Sequence, residues 1–515
     1  MLENKYRWAQ WGDLNAFFGL MLDNVTNLVI LTGILVGVFG YPAAMVLKLM
    51  IPGTALGVLF GDAVYTWMAF RLAKKTGKTD VTAMPLGLDT PSTIGVAFAV
   101  LGPVYVETKD PMLTWQVGMA TLLLIGVFKV VFSFFGDWVR RHVPQAGLLG
   151  SLAGIGIALL AFFPVMKIFS SPVVGLVSLG IILYAIIAGR RLPLGIPGAF
   201  FAVAAGCLIY YLMGSFDLLG AKAVAPKLEF HPAPPIPTLG FIDGLGKALN
   251  YLPIAFPFAL LTIVGGINVT ESARVAGDEY RTRDILLTEA LATVVAALFG
   301  GVAQSTPYIG HPAYKAMGGR AAYTLATGLF IGIGGALGIM SFVVEAIPEA
   351  AITPILMFVG IEIVSQAFVE SPRRHAPAVA FATVPVVGYL VLVHMDGLIG
   401  RLDPAWKLPV SIGAEHNTLR VVGHGFILTA MLWGGFLADL IDGKLRTAAA
   451  YLGVCAVFTV FGVIHSVTPS GDVYLAWRLG NDTVWQIALG YSLVACLTAA
   501  ASFGGRTRDH EGSHR

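Results

Sequence analysis

Five ionisable side chains stand inside otherwise apolar stretches of this chain: Asp23, Asp62, Asp89, Glu271 and His311. A charge in hydrocarbon is costly and is kept where it meets a partner, a wet cavity or a transported species. Carboxylates and an imidazole in that setting can hydrogen-bond, pair with ions or exchange protons. Asp89 and His311 also fall in segments broken by Pro and Gly: Met84-Pro85-Leu86-Gly87-Leu88-Asp89-Thr90-Pro91-Ser92-Thr93-Ile94-Gly95 and Ser305-Thr306-Pro307-Tyr308-Ile309-Gly310-His311-Pro312. Irregular backbone at membrane depth survives only where protein buries it or it lines a polar cavity. Two such breaks in corresponding halves point to a transporter binding site.

The elements that must position these residues are membrane spans. The 515 residues are 56% hydrophobic and 12% charged, with a mean hydropathy of +0.78, which defines a polytopic membrane protein. Segments of about 20 apolar residues give roughly sixteen crossings, each broken segment counted once. Lys and Arg collect in alternate short loops, among them Arg71 to Lys78, Arg281 with Arg283, Arg373-Arg374 and Lys444 with Arg446. The positive-inside rule puts those loops and both termini in the cytoplasm, and the protein in the cell inner (plasma) membrane. No cleavable signal peptide is visible. Cys207, Cys455 and Cys496 stand singly in apolar stretches, so packing accounts for them.

The pattern predicts an all-α fold built as a seven-plus-seven inverted repeat. The first repeat covers 1–214, an extracytoplasmic connection 215–250, and the second repeat 251–441; 442–515 add further C-terminal helices and a tail. Asp89 either caps the half-helix that follows it, through the Ser92 or Thr93 amide, or binds substrate or a cation. Asp23 and Asn24 either face a cavity or tie the first span to its neighbours. Asp62 reads as structural, with Lys48 and Lys129 either its partners or snorkelling to the interface. His311 either titrates toward a ligand or satisfies a free carbonyl of its broken segment.

The string Leu291-Ala292-Thr293-Val294-Val295-Ala296-Ala297-Leu298-Phe299-Gly300, followed by Ser305-Thr306-Pro307-Tyr308-Ile309 and Gly318-Gly319-Arg320, carries a family resemblance. It is similar to the ALATVVGALLG, TSYIESAAG and GGR string of adenine/guanine/hypoxanthine permeases. Val143-Pro144, Leu194-Gly195-Ile196-Pro197-Gly198 and Asn268-Val269-Thr270-Glu271-Ser272 support it. The chain thus resembles the nucleobase/ascorbate transporters (xanthine/uracil permeases) over roughly residues 10 to 465.

The resemblance implies core and gate domains, with spans 3 and 10 each beginning as a short strand and continuing as a half-helix. It also implies a homodimer. Substrate would meet Asp23, Asp89, Thr90, Asn268, Glu271, Tyr308, Ile309, Gly310 and His311, with Glu271 and His311 coupling transport to protons. Where the purine branch has an acid after Tyr-Ile, this chain has Gly310-His311, so a charge-assisted contact to a ring N–H is missing.

The expected activity is secondary transport of a nucleobase-like molecule by proton symport, with an elevator-like movement of the core. The alternatives are an anion carrier of the sulfate/bicarbonate type sharing this fold, favoured by Lys315, and a membrane receptor that binds without flux. No enzyme, nucleotide-binding or metal motif competes, no cofactor is expected, and the charge balance gives no reason to expect nucleic acid.

Overall fold

The computed structural model describes residues 6–136, 145–190, 192, 198–220, 222–223, 232–308, 310–399, 409–469 and 471–504. Val143-Pro144, Leu194 to Pro197 and Ile309 lie outside them. Among the described residues nine helices are long and apolar enough to cross a membrane, and a bent pair adds a tenth. The chain forms two compact units, residues 1–142 with 155–362, and residues 143–154 with 363–515.

The first unit holds both broken segments. Its framework is α1 (Gly12–Thr32), α2 (Ala43–Thr76), β1 (Leu86–Leu88), α3 (Thr90–Val96), α4 (Pro111–Ser133), α5 (Leu252–Val275), α6 (Thr282–Leu298), β2 (Ser305–Pro307), α7 (His311–Ala316) and α8 (Ala322–Ala336). Small residues let α2 pack tightly on two sides. A Cβ on Gly53 would lie 2.3 Å from the Phe299 carbonyl oxygen, and one on Gly57 2.7 Å from that of Ala292, so the backbones of α2 and the α6 region nearly touch. On the opposite side Gly328, Gly332 and Gly335 of α8 receive Asp62, Leu59 and Ala55.

The extended chain leading into β1 has its backbone satisfied at depth, as the lipid environment demands. Arg320 accepts from the Ala83 amide at 2.7 Å, and the Tyr323 hydroxyl donates to the Ala83 carbonyl at 2.7 Å. Tyr280 donates to the Thr82 carbonyl at 2.7 Å, while the Thr82 hydroxyl donates to Gly319 at 2.8 Å. The turn before β2 is anchored by the Trp115 indole, which donates to the Gly300 carbonyl at 2.8 Å; Gly300 adopts φ +95°, where a side chain would be strained.

The second unit is helical: α9 (Ala376–Ile399), α10 (Val410–Gly423), α11 (Phe426–Ile441), α12 (Leu445–Val460) and α13 (Asp482–Gly504). The predicted extra C-terminal helices are integral to it. Leu428, Cys455 and Ile464 form a buried cluster joined by Tyr491, whose hydroxyl accepts from Trp433 at 2.8 Å. Asp442 ties together two of the basic loops, lying 3.0 Å from Arg374, 2.7 Å from His375 and 3.1 Å from Lys444. These two loops, which the charge count groups together, lie side by side.

Candidate functional site

The two broken segments meet as an antiparallel ladder, Leu86 opposite Pro307, Gly87 opposite Thr306 and Leu88 opposite Ser305. It is extended by the Asp89 amide on Gln304 at 3.0 Å and the Tyr308 amide on Pro85 at 2.9 Å. Each strand then turns into a helix, so α3 and α7 start at opposite ends of the ladder. Pro91 and Pro312 stand in the first turns, where a missing N–H costs nothing. Asp89 caps α3: its carboxylate accepts from the Ser92 amide at 2.9 Å, the local contact that its spacing predicts.

Side chains of α1 complete the outer edge of β1. Asn24 accepts from the Leu88 amide at 3.0 Å and donates to Leu20 at 2.9 Å; Asn27 reaches the Leu88 carbonyl at 3.5 Å. Asp23, half-buried beside them, accepts from the Tyr308 hydroxyl at 2.8 Å. Asp23, Asn24 and Tyr308 converge on the bare Cα of Gly87. A Cβ there would stand 3.6 Å from Asp23, 3.7 Å from Asn24 and 3.4 Å from Tyr308.

Behind the ladder lies a fully buried ionic cluster. The Lys129 ammonium donates to the Ser305 carbonyl at 2.7 Å and to Gln304 at 3.3 Å, and lies 3.7 Å from Glu289. Glu289 accepts from the Thr306 hydroxyl at 3.1 Å, and Gln304 passes the network on to Asp89 at 3.4 Å. One Lys from α4 and one Glu from α6 thus hold β2, and through Gln304 they reach the cap of α3. The sequence reading offered Lys129 to Asp62 and overlooked Glu289; the structure gives Lys129 to Glu289.

The remaining sequence-predicted residues go elsewhere. Thr90 is buried in the first turn of α3, and Gly310 is the residue before α7. His311 is fully buried and points at Asp278, 3.0 Å away, in the α5–α6 connection. The expectation that His311 satisfies a free carbonyl of its own segment is not met: its Nε2 meets the Asp278 carboxylate. Asn268 is exposed on α5, and Glu271, expected between apolar helices, is half-exposed and paired with Arg274 one turn on.

Asp278 also accepts from Lys315 at 2.8 Å and from the Thr82 amide at 3.2 Å. Burial alone would raise its carboxyl, but the His311 and Lys315 hydrogen bonds outweigh burial and hold it below the usual carboxylate range. Its folded value lies below its unfolded one. The stability it contributes is therefore present above the unfolded value, near pH 4, and is lost as pH falls through the folded value. Asp278→Asn is expected to cost about 2 kcal/mol at neutral pH and to flatten the acid limb of the stability curve. Thermal unfolding between pH 7 and about pH 3 checks this; an unchanged acid limb would refute the role.

A ladder formed by two broken spans within paired helices defines the seven-plus-seven inverted-repeat transporter fold, and the solved structures that share it agree. The chain is similar to the transmembrane domain of a cyanobacterium bicarbonate transporter, BicA, at 18% identity, covering 76% of this chain and 97% of that one with a TM-score of 0.51. It is also similar to SLC26A9 (12% identity, 75% of this chain, 64% of that one, TM-score 0.50). The murine SLC26A9 anion transporter in its inward-facing state matches at 12% identity, over 77% of this chain and 68% of that one, with a TM-score of 0.50. No family model and no curated protein matches the sequence.

These findings correct the nucleobase-permease resemblance. The neighbours sharing the fold are anion transporters, and the string from Leu291 to Gly300 has a packing explanation. Ala292, Ala296, Gly300 and Gly301 are the small residues against which α2 and Trp115 lie. That signal encodes how a helix approaches the break, whatever the substrate. What the chain shows is a multi-pass membrane protein with a transporter fold.

Proposed function

We propose that the protein is a secondary transporter that carries a small oxyanion together with a proton, binding it at the Gly87 face of the ladder. The observation that carries the reading is the convergence of Asp23, Asn24 and Tyr308 on that bare glycine. An ionised Asp23 repels an anion, whereas a protonated one donates a hydrogen bond to it. Anion and proton therefore bind together or not at all, which couples the two fluxes. The second amide hydrogen of Asn24 supplies a further donor, while the Tyr308 hydroxyl holds Asp23 in place. The Lys129–Glu289 cluster keeps the ladder in register while the core moves against the rest. In this reading the protein sits in the inner membrane as a homodimer with both termini cytoplasmic. The names of the fold neighbours, a bicarbonate transporter and an anion transporter, support the substrate class.

The test is uptake of radiolabelled bicarbonate, sulfate and formate into proteoliposomes, with and without an inward proton gradient. Saturable uptake of one of them, accelerated by the gradient, is expected. Anion binding without flux would favour a receptor, and neither binding nor flux would refute the proposal.

A further inference from the structure

The outer edge of β1 presents alternate amides. Asn24 takes that of Leu88; two residues earlier the Leu86 amide faces Asp62 of α2 without closing a hydrogen bond. Asp62 is 0% exposed, and both of its carboxylate oxygens lack a hydrogen-bond partner among the described residues. No Lys, Arg or His side chain pairs with it there, and the ionisable groups around it, Tyr65, Tyr314 and Tyr323, are themselves acids. An isolated buried carboxylate costs several kcal/mol, so this one is neutralised by a proton or held by a counter-charge.

The surrounding oxygens say what kind. Thr66, one turn along α2, and Thr324 of α8 are buried; neither hydroxyl closes a hydrogen bond among the described residues, and that of Thr324 lies toward the Tyr323 side chain. Thr93, Thr121 and Thr353 are likewise unpartnered, whereas the hydroxyls of Thr26, Thr262, Thr270 and Thr327 donate to the carbonyl four residues back. The helices α2 and α8 run antiparallel, with Ala55 against Gly335, Leu59 against Gly332 and Asp62 against Gly328. The next turn of that register brings Thr66 level with Thr324. Gly328 makes the room: a Cβ there would be 2.7 Å from that of Asp62.

We infer that Asp62, Thr66 and Thr324 form a binding site for a small monovalent cation of the sodium class within the α2–α8 interface. Four hard oxygens without sulfur or imidazole suit an alkali cation, and one carboxylate balances a single charge. Because Gly61 packs on Leu86, a cation at Asp62 would brace β1 from the side opposite β2.

The test is thermal unfolding of the full chain in detergent at fixed ionic strength, with sodium exchanged for choline. The expected result is a saturable rise in Tm with sodium, absent in Asp62→Asn. Thr66→Ala and Thr324→Ala keep the carboxylate, and each is expected to move the sodium midpoint upward by about tenfold or more; they carry the test if Asp62→Asn does not fold. Identical melting of the wild type in sodium and choline would overturn the site, as would a sodium response retained by Asp62→Asn. A response to pH alone, equal in both salts, would make Asp62 a proton-bearing acid and equally overturn it. The readout is binding, so it stands whatever the flux experiment returns.

Discussion

Lys129→Met is expected to destabilise the protein by about 3–5 kcal/mol, enough to prevent its recovery as a folded species in many detergents. The ammonium is 0% exposed and is the cation that holds Glu289, Gln304 and the Ser305 carbonyl around β2. Met fills similar space but leaves a buried carboxylate without its counter-charge and a strand carbonyl without its donor. Cost of this kind comes from orphaning partners, so removing both charges should return much of it. Lys129→Met/Glu289→Gln is therefore expected to melt well above Lys129→Met alone, and the double-mutant cycle isolates the coupling. Thermal unfolding followed by tryptophan fluorescence reads all four proteins. If Lys129→Met melts with the wild type, Lys129 is not the hub of the ladder.

The ladder and its supports differ in how far the sequence exposes them. The breaks are legible because Pro85, Pro91, Pro307 and Pro312 stand where an uninterrupted helix is otherwise required, and the Asp89 cap because its partner is three residues away. The register of β1 on β2 is not legible, since it depends on contacts between segments more than two hundred residues apart. Lys129 and Glu289 are visible as lone charges in apolar spans, yet nothing in either span names the other. Asn24 and Asp23 show why polar pairs within a span stay ambiguous: Asn24 ties α1 to β1 while its neighbour faces Gly87. The family assignment failed for a related reason. Ala292, Ala296 and Gly300 are selected by the close approach of α2, a demand of the fold, and carry no information about the solute. Glu271 is legible locally, since Arg274 on the same helical face offers it a partner.

Gly87→Ala should separate the fold from the function. The backbone at Gly87 lies outside the left-handed region, and the added methyl would stand 3.4–3.7 Å from Tyr308, Asp23 and Asn24, ordinary contact distances. Stability is expected to stay within about 0.5 kcal/mol of the wild type. If the oxyanion lies over this residue, however, the methyl occupies its place. One misplaced methyl in a fitted site costs about 1–3 kcal/mol of binding, so anion uptake is expected to fall about 10- to 200-fold. Asp23→Asn gives the complementary result: it retains a donor to the anion but cannot exchange a proton, so the anion is expected to bind while acceleration by a proton gradient disappears. Uptake by Gly87→Ala at the wild-type rate would move the substrate off this face of the ladder, even if Asp23→Asn had lost its gradient response. Asp23 would then act on the transported proton from outside the anion site, and the two ligands would be coupled through the movement of the core instead of through direct contact.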